Sequence, residues 1–291
     1  MSRALAIDVG GTNLRVGLCD SARPELVEPI GHWSAPASRQ AFEDLLQQLL
    51  EVHSVSRTGI SVPGLVLGTT CLWIPNLPFL DGLDLATVFP GVSVALGNDA
   101  QLALLAEASA GAAKGLSDVI LLAIGTGIGS AVMAGSRIVR GAHGGAASFG
   151  WASADPTDPG DDRDGWLERN ASGRALDRLA WQNGLENGAS LIERARSGDD
   201  RARALLDPAA AALGTALAGA VALLDPQIVL IAGGVAGAFD VMEAPLLAAL
   251  RRQLPPHLRG INVAAGAFAA GASLTGAAMA AFKGEFWENV R

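Results

Sequence analysis

The sequence predicts an α/β protein of two lobes. Three observations point there: a strand–turn–strand unit at the amino terminus, the same unit used again at Val119–Ala134, and helical apolar periodicity between and after the two. With 291 residues, half of them hydrophobic, the chain can bury a large core. In the first unit a strand, Ala4 to Val9, meets a polar turn of Gly10, Gly11, Thr12 and Asn13, and a second strand runs from Leu14 to Cys19. In the second, strands Val119 to Ile124 and Ile128 to Ala134 enclose Gly125, Thr126 and Gly127.

Between the units, Ala41, Phe42, Leu45, Leu46, Leu49 and Leu50 recur at helical spacing and predict a helix from Ser38 to His53. A β-run, Gly59 to Val66, is interrupted by Pro63-Gly64. A short strand, Val92 to Leu96, leads to Asn98-Asp99, and a helix follows from Ala100 to about Gly111. Beyond the second unit come an aspartate-rich loop (Ala154 to Gly165), helices over Trp166 to Asn183 and Ser190 to Leu224, and a strand over Gln227 to Ala232. That strand runs into Gly233-Gly234, and a helix spans Phe239 to Gln253. A final apolar helix, Gly271 to Phe282, is expected to cross back and close the first lobe. The predicted division is 1–114 with 272–291 for one lobe and 115–271 for the other.

Charged residues make up 17% and the net charge is −8, so the chain offers no basic stripe, and nucleic acid is not an expected partner. Two cysteines, Cys19 and Cys71, are too few for a disulfide framework and lack metal-ligand spacing, which fits a reducing compartment. The opening apolar run meets Asp8 too early for a signal peptide, and runs such as Val221 to Leu224 are broken by Asp225 and Pro226. The expectation is a soluble, cytoplasmic protein with no membrane segment.

The glycines of Asp8-Val-Gly-Gly-Thr-Asn let backbone N–H groups approach an anionic oxygen, and Asp8 beside them is placed to hold Mg²⁺ directly or through water. The same residues also suit an ordinary tight hairpin; recurrence of the pattern favours phosphate. Gly125-Thr-Gly-Ile-Gly is no dinucleotide fingerprint, because β-like sequence follows it, and no GxxxxGK[ST] occurs. Two such loops suit a nucleotide whose phosphates are gripped from both sides of a cleft. Gly233-Gly234 would then wall the adenine or ribose, or is a plain strand-to-helix turn. Asn98-Asp99 opens a helix as an N-cap; for phosphoryl transfer, Asp99 there can accept the proton of an attacking hydroxyl.

DVGGTNLRVGL at 8–18, VPGLV at 62–66, PNLP at 75–78, GNDAQLALLAEA at 97–108, GAAKG at 111–115, GTGIG at 125–129 and LERNASGRAL at 167–176 together resemble the ROK (repressor, ORF, kinase) family of sugar kinases, glucokinase-like members included, over nearly the whole chain. The resemblance implies the actin-like ATPase (ribonuclease H-like) fold with its active site in a cleft between lobes. It also implies ATP and Mg²⁺ as cofactors, a sugar or cyclitol substrate and a dimer or larger assembly, a homodimer being the expectation. By position it assigns ATP phosphates to Gly10, Gly11, Thr12, Asn13, Gly125, Thr126 and Gly127, the nucleoside to Gly233 and Gly234, and the base to Asp99. The acceptor would face Gly64, Asn76, Asn98 and Asp99.

Two departures stand out. The family's Glu-x-Gly-His, whose side chains bind sugar hydroxyls, is replaced by Ser148 and Trp151, and Pro159, Asp161 and Trp166 stand where zinc-binding cysteines would be. No zinc site is expected. Asp155, Asp158, Asp161, Asp162 and Asp164 lack EF-hand order and read as a solvated loop, and His143 as a surface residue. Losing an ionised acceptor costs two charge-assisted hydrogen bonds of about 1.5–3 kcal/mol each. Ser148 and Trp151 therefore imply either an altered acceptor, such as an amino sugar or carbocyclic sugar instead of glucose, or weak sugar binding. The competing reading is a weakly catalytic or non-catalytic sugar-binding regulator. The first strand begins at about residue 4, which leaves no room for the helix-turn-helix module of DNA-binding family members. Trp33, Trp73, Trp181 and Trp287 fit core, interface or lid positions equally, and the helix Ala202 to Leu224 reads as core, with a dimer face as the minority reading.

Overall fold

A computed structural model describes residues 2–283, and its chain divides into two compact units. Within the described residues the first comprises 2–115, 136–146 and 271–283, and the second 116–135 and 147–270.

In the first unit, β1 (Arg3–Val9), β2 (Asn13–Asp20), β3 (Glu28–Ser34), β4 (Arg57–Val62) and β7 (Ser93–Asn98) form a sheet in the order β3–β2–β1–β4–β7. The hairpin edges pair antiparallel and β1–β4–β7 pair parallel. One face of the sheet, with Leu5, Ile7, Val9, Ile60, Val62 and Leu96, packs on Phe42, Leu46 and Leu49 of α1 (Arg39–His53). Ser38 caps α1 by accepting from the Ala41 N–H at 3.3 Å, and Ser54 ends it in a left-handed conformation at φ 51°. The other face carries small residues, Ala4, Ala6 and Gly59, because α9 (Ala272–Ala280) lies close against it. A Cβ on Gly59 would run into the Ala277 carbonyl. By strand alternation Asp8 belongs to this second face. A small ribbon of β5 (Leu65–Leu67) and β6 (Thr70–Trp73), the short α2 (Leu85–Val88), α3 (Asp99–Ala110) and the two-residue β10 (Arg137–Ile138) complete the unit.

The second unit repeats the logic. β8 (Val119–Ile124) pairs antiparallel with β9 (Ile128–Ala134) and parallel with β11 (Ile228–Ala232), and β11 pairs parallel with β12 (Asn262–Ala265). Ile120, Leu122, Ile124, Val229 and Ile231 share a core with α4 (Trp166–Ala171), α5 (Gly173–Gln182), α6 (Gly188–Arg196), α7 (Asp200–Leu224) and α8 (Phe239–Gln253). Helix α7 is long and apolar enough to cross a membrane, contrary to the reading of broken apolar runs. Its Leu206, Leu213, Leu217 and Val221 stripe is buried in this core, and Gly214 lets the Leu246 carbonyl of α8 approach.

The expected helix over 166–183 is two helices. Ser172 is extended (φ −77°, ψ 168°) and caps α5, while the Gly173 N–H leaves the helical ladder for the Gly125 carbonyl at 2.8 Å. The expected helix over 190–224 is broken at Gly198 (φ 95°), and Asp199 starts α7 by accepting from Arg201 and Ala202. Strands β3, β6 and β12 carry no signal that the sequence reading used. Trp33 packs on the first core, Trp73 and Trp181 are 50% and 62% exposed, and Trp287 lies outside the described residues.

Candidate active site

In the first unit the β1–β2 turn is closed by the Gly10 N–H donating to the Asn13 carbonyl at 2.7 Å. Gly11, Thr12 and Asn13 are exposed, and the N–H groups of Gly11 and Thr12 have no partner among the described residues. Asn13 donates to Thr12 Oγ1 at 3.1 Å, so the side chains of the turn brace each other. A Cβ on Gly11 would stand 3.0 Å from Cβ of Asn76, which seats Asn76 against this turn.

Asp8, at the end of the same strand, is 7% exposed and takes both Nε (3.1 Å) and Nη2 (2.5 Å) of Arg15 on its Oδ2. Its strand partner on β4 is Ser61, a fully buried residue whose hydroxyl has no hydrogen-bond partner among the described residues. In a parallel pair the two side chains share a face, so an orphaned hydroxyl stands beside a buried carboxylate.

Strand β7 delivers the next group. Asn98 donates through Nδ2 to the Gly64 carbonyl at 3.0 Å and accepts on Oδ1 from the Ala100 and Gln101 N–H groups. Asn98 is therefore the N-cap of α3, and Asp99 opens the helix as its first residue. Asp99 is half-buried and accepts from the Ala100 N–H at 2.8 Å. Burial pushes its carboxyl up to about 6 and the charge of Asp8 adds to the rise, against the lowering effect of the hydrogen bonds. A carboxyl poised there is ionised at neutral pH yet basic enough to take a proton. Gly64 is held tightly: a Cβ there would collide with the Trp73 carbonyl.

In the second unit the β8–β9 turn has the same form. The Gly125 N–H donates to the Gly127 carbonyl at 2.9 Å, and the N–H groups of Thr126 and Gly127 have no partner among the described residues. Below the turn, the Gly173 and Arg174 N–H groups donate to the Gly125 and Thr126 carbonyls at 2.8 and 3.2 Å. Gly233, at φ 84°, packs on the Ile124 backbone, where a Cβ would stand 2.6 Å from the carbonyl oxygen; Gly234 is exposed with open space around it. Ser148 and Trp151 are both exposed, Trp151 at 45%, on a tight segment between β9 and α4.

Residues not singled out from the sequence line the same places. Glu168, in the first turn of α4, would meet a Cβ on Gly127 at 2.5 Å and pairs with Arg174 at 2.7 Å. The aspartate-rich loop is largely exposed, as expected, and most of its carboxylates are nevertheless tied down. Asp158 is held by Arg169 at 2.7 Å, Asp164 by Arg174 at 3.0 Å, and Asp155 and Asp161 accept from backbone N–H groups two and three residues on. Among the described residues no group of three His, Cys, Asp or Glu side chains is placed to hold a metal ion.

These residues fit a phosphate-bearing ligand and its cation. Each turn offers two unpartnered N–H donors at an exposed bend, and Asp8 has an oxygen, Oδ1, that Arg15 does not occupy. Fold and site together define an actin-like α/β protein with doubled strand–turn–strand loops. The ROK family model matches residues 4–283, and the chain belongs to the ROK family. It is 32% identical over 233 residues to N-acetylmannosamine kinase of Escherichia coli O127:H6, covering 74% of this chain and 77% of that one. Among solved structures it is similar to a ROK family glucokinase from Streptomyces griseus in complex with glucose and AMPPNP (TM-score 0.83, 28% identity, 97% of this chain and 100% of that one). It is also similar to the ROK hexokinase of Thermus thermophilus (TM-score 0.78, 28% identity, 96% and 98%).

Proposed function

We propose that the protein is a sugar kinase that transfers the γ-phosphoryl of Mg-ATP to a hydroxyl of a sugar or sugar-like acceptor. The observation that carries this reading is the placement of Asp99: it opens α3 next to Asn98, which is tied to Gly64, in surroundings whose burial pushes its carboxyl up to about 6. Mg-ATP, when bound, supplies the electrophilic phosphoryl. Asp99 accepts the proton of the acceptor hydroxyl as it attacks, and Asn98, Gly64 and Asn76 orient the acceptor. Gly11, Thr12, Thr126 and Gly127 donate backbone N–H groups to phosphate oxygens, with Gly10, Asn13 and Gly125 shaping the bends. Asp8 would hold the cation directly or through water, and the nucleoside would lie against Gly233 and Gly234, with the open space at Gly234 and Gly233 itself closed against the Ile124 backbone.

The acceptor class follows from Ser148 and Trp151. A serine hydroxyl is a weaker acceptor than a carboxylate, and an exposed indole offers an apolar platform for a ring face or acyl group. The acceptor we propose is an amino sugar, N-acylated sugar or cyclitol, not plain glucose. The test is ADP release over a panel of glucose, N-acetylmannosamine, other amino sugars and cyclitols. Turnover of an amino or N-acyl sugar above glucose supports the proposal; efficient glucose turnover refutes the acceptor class, and no acceptor-dependent ADP release refutes the kinase.

A second reading, a sugar-binding regulator with little catalysis, draws on the same two side chains. Ligand-induced thermal stabilisation without ADP release would favour it. Cytoplasmic location and a homodimer belong to the proposal as well, checked by cell fractionation and light scattering.

A further inference from the structure

We infer that Ser130 is a positioning residue for the acceptor, because its hydroxyl clamps the turn that presents Ser148; this rests on the kinase reading above and deepens it. Ser130 lies on β9 and is 7% exposed. Its hydroxyl donates to the Ala147 carbonyl and accepts from the Phe149 N–H at 3.1 Å. The Phe149 N–H also reaches the Ala147 carbonyl at 2.7 Å, and Ser148 between them sits at φ −70°, ψ 57°. That is an inverse γ-turn with Ser148 at its apex. One hydroxyl thus engages both ends of a three-residue bend.

The bend needs holding. Ala147 has φ 62°, a left-handed conformation that a residue with a Cβ adopts only at a cost. The flanks leave no room for slippage: a Cβ on Gly150 would stand 2.8 Å from the Ile128 carbonyl, and one on Gly165 would collide with Gly150 and Trp151. The Trp151 N–H closes onto the Ser148 carbonyl at 3.1 Å. Ser148 and Trp151 are therefore exposed on backbone that is pinned from beneath, and the Ser130 hydroxyl is one group that pins it. In the kinase reading the Ser148 side chain faces the acceptor, so the clamp acts on acceptor affinity and leaves nucleotide binding alone.

The experiment compares Ser130→Ala, Ser130→Cys and Ser130→Thr with the wild type. It reads acceptor KM, ATP KM and hydrogen exchange of the segment 147–152. Ser130→Ala should raise the acceptor KM about tenfold, the equivalent of one lost hydrogen bond, with ATP KM unchanged within about twofold. Exchange of the segment should quicken, and Ser130→Thr, which keeps the hydroxyl, should restore both. Ser130→Cys preserves volume and should move in the same direction as alanine, which keeps the test open if alanine does not fold. Acceptor and ATP KM moving together, neither moving, or threonine behaving like alanine would overturn the inference. A wild type that turns over no sugar retires the kinase reading instead, and segment exchange alone then decides whether the clamp exists.

Discussion

Asn98 reaches the carbonyl oxygen of Gly64 with its amide nitrogen and caps α3 with its amide oxygen, so one side chain joins the β4–β5 turn to the helix that starts with Asp99. The two ends of the amide do separate work, and two substitutions separate them. Asn98→Asp keeps the cap oxygen but loses the donor to Gly64; Asn98→Ala loses both. Thermal unfolding should show Asn98→Ala destabilised by about 1–2 kcal/mol, with Asn98→Asp losing less of that amount. Both should raise the acceptor KM. Equal stability of Asn98→Ala and the wild type would contradict the cap.

Asp99 carries a stability cost that depends on pH. Its carboxyl is raised from 3.8 to about 6 in the fold, so the folded state favours the protonated form. The stability it contributes is fully present below about pH 4 and is lost as pH rises through about 6. Asn at this position can still accept from the Ala100 N–H and never ionises. Asp99→Asn should therefore match the wild type near pH 4 and exceed it at pH 8, by up to about 3 kcal/mol. Chemical denaturation at the two pH values checks this, and a constant difference would contradict it.

The same carboxyl sets the pH profile. If Asp99 is the base, kcat/KM for the acceptor should rise with pH along a limb centred near 6, as the carboxylate forms. A limb near the ordinary aspartate value would show that burial and the charge of Asp8 do not act on it as described.

Gly125 and Gly233 are predicted to respond oppositely to alanine. A Cβ on Gly125 meets nothing within 4 Å, so Gly125→Ala should unfold within about 1 kcal/mol of the wild type while raising the ATP KM, because its glycine leaves the turn open to phosphate. Gly233 combines φ 84° with a Cβ position 2.6 Å from the Ile124 carbonyl, so Gly233→Ala should lose about 1–3 kcal/mol or more. Similar unfolding curves for the two variants would contradict this contrast.

Much of the fold was legible because its signals are local. The expected strands over 119–124 and 128–134 coincide with β8 and β9, and the helix over 239–253 with α8. Where expectation failed, a distant partner decided. Gly173 leaves the helical ladder for the carbonyl of Gly125, which no window around Ser172 could reveal. Strand β3 has weak alternation and is specified by pairing with β2. At the candidate site the glycine turns announce themselves by spacing, but Glu168, Ser130 and Ser61 do not. Each is an ordinary residue within its own helix or strand and gains its meaning from a neighbour elsewhere in the chain: Gly127, Ala147 and Asp8. The serine at 148 and tryptophan at 151 were visible as departures, whereas the clamp beneath them was not.

The most direct test of the account is acceptor-dependent ADP release by the wild type and by Asp99→Asn, measured with the sugar panel at pH 7.5 alongside nucleotide binding. The account predicts turnover by the wild type, a loss of about two to four orders of magnitude in kcat for Asp99→Asn, and ATP affinity unchanged by the substitution. Full turnover by Asp99→Asn, with nucleotide binding intact, would contradict the assignment of Asp99 as the base on which the account rests.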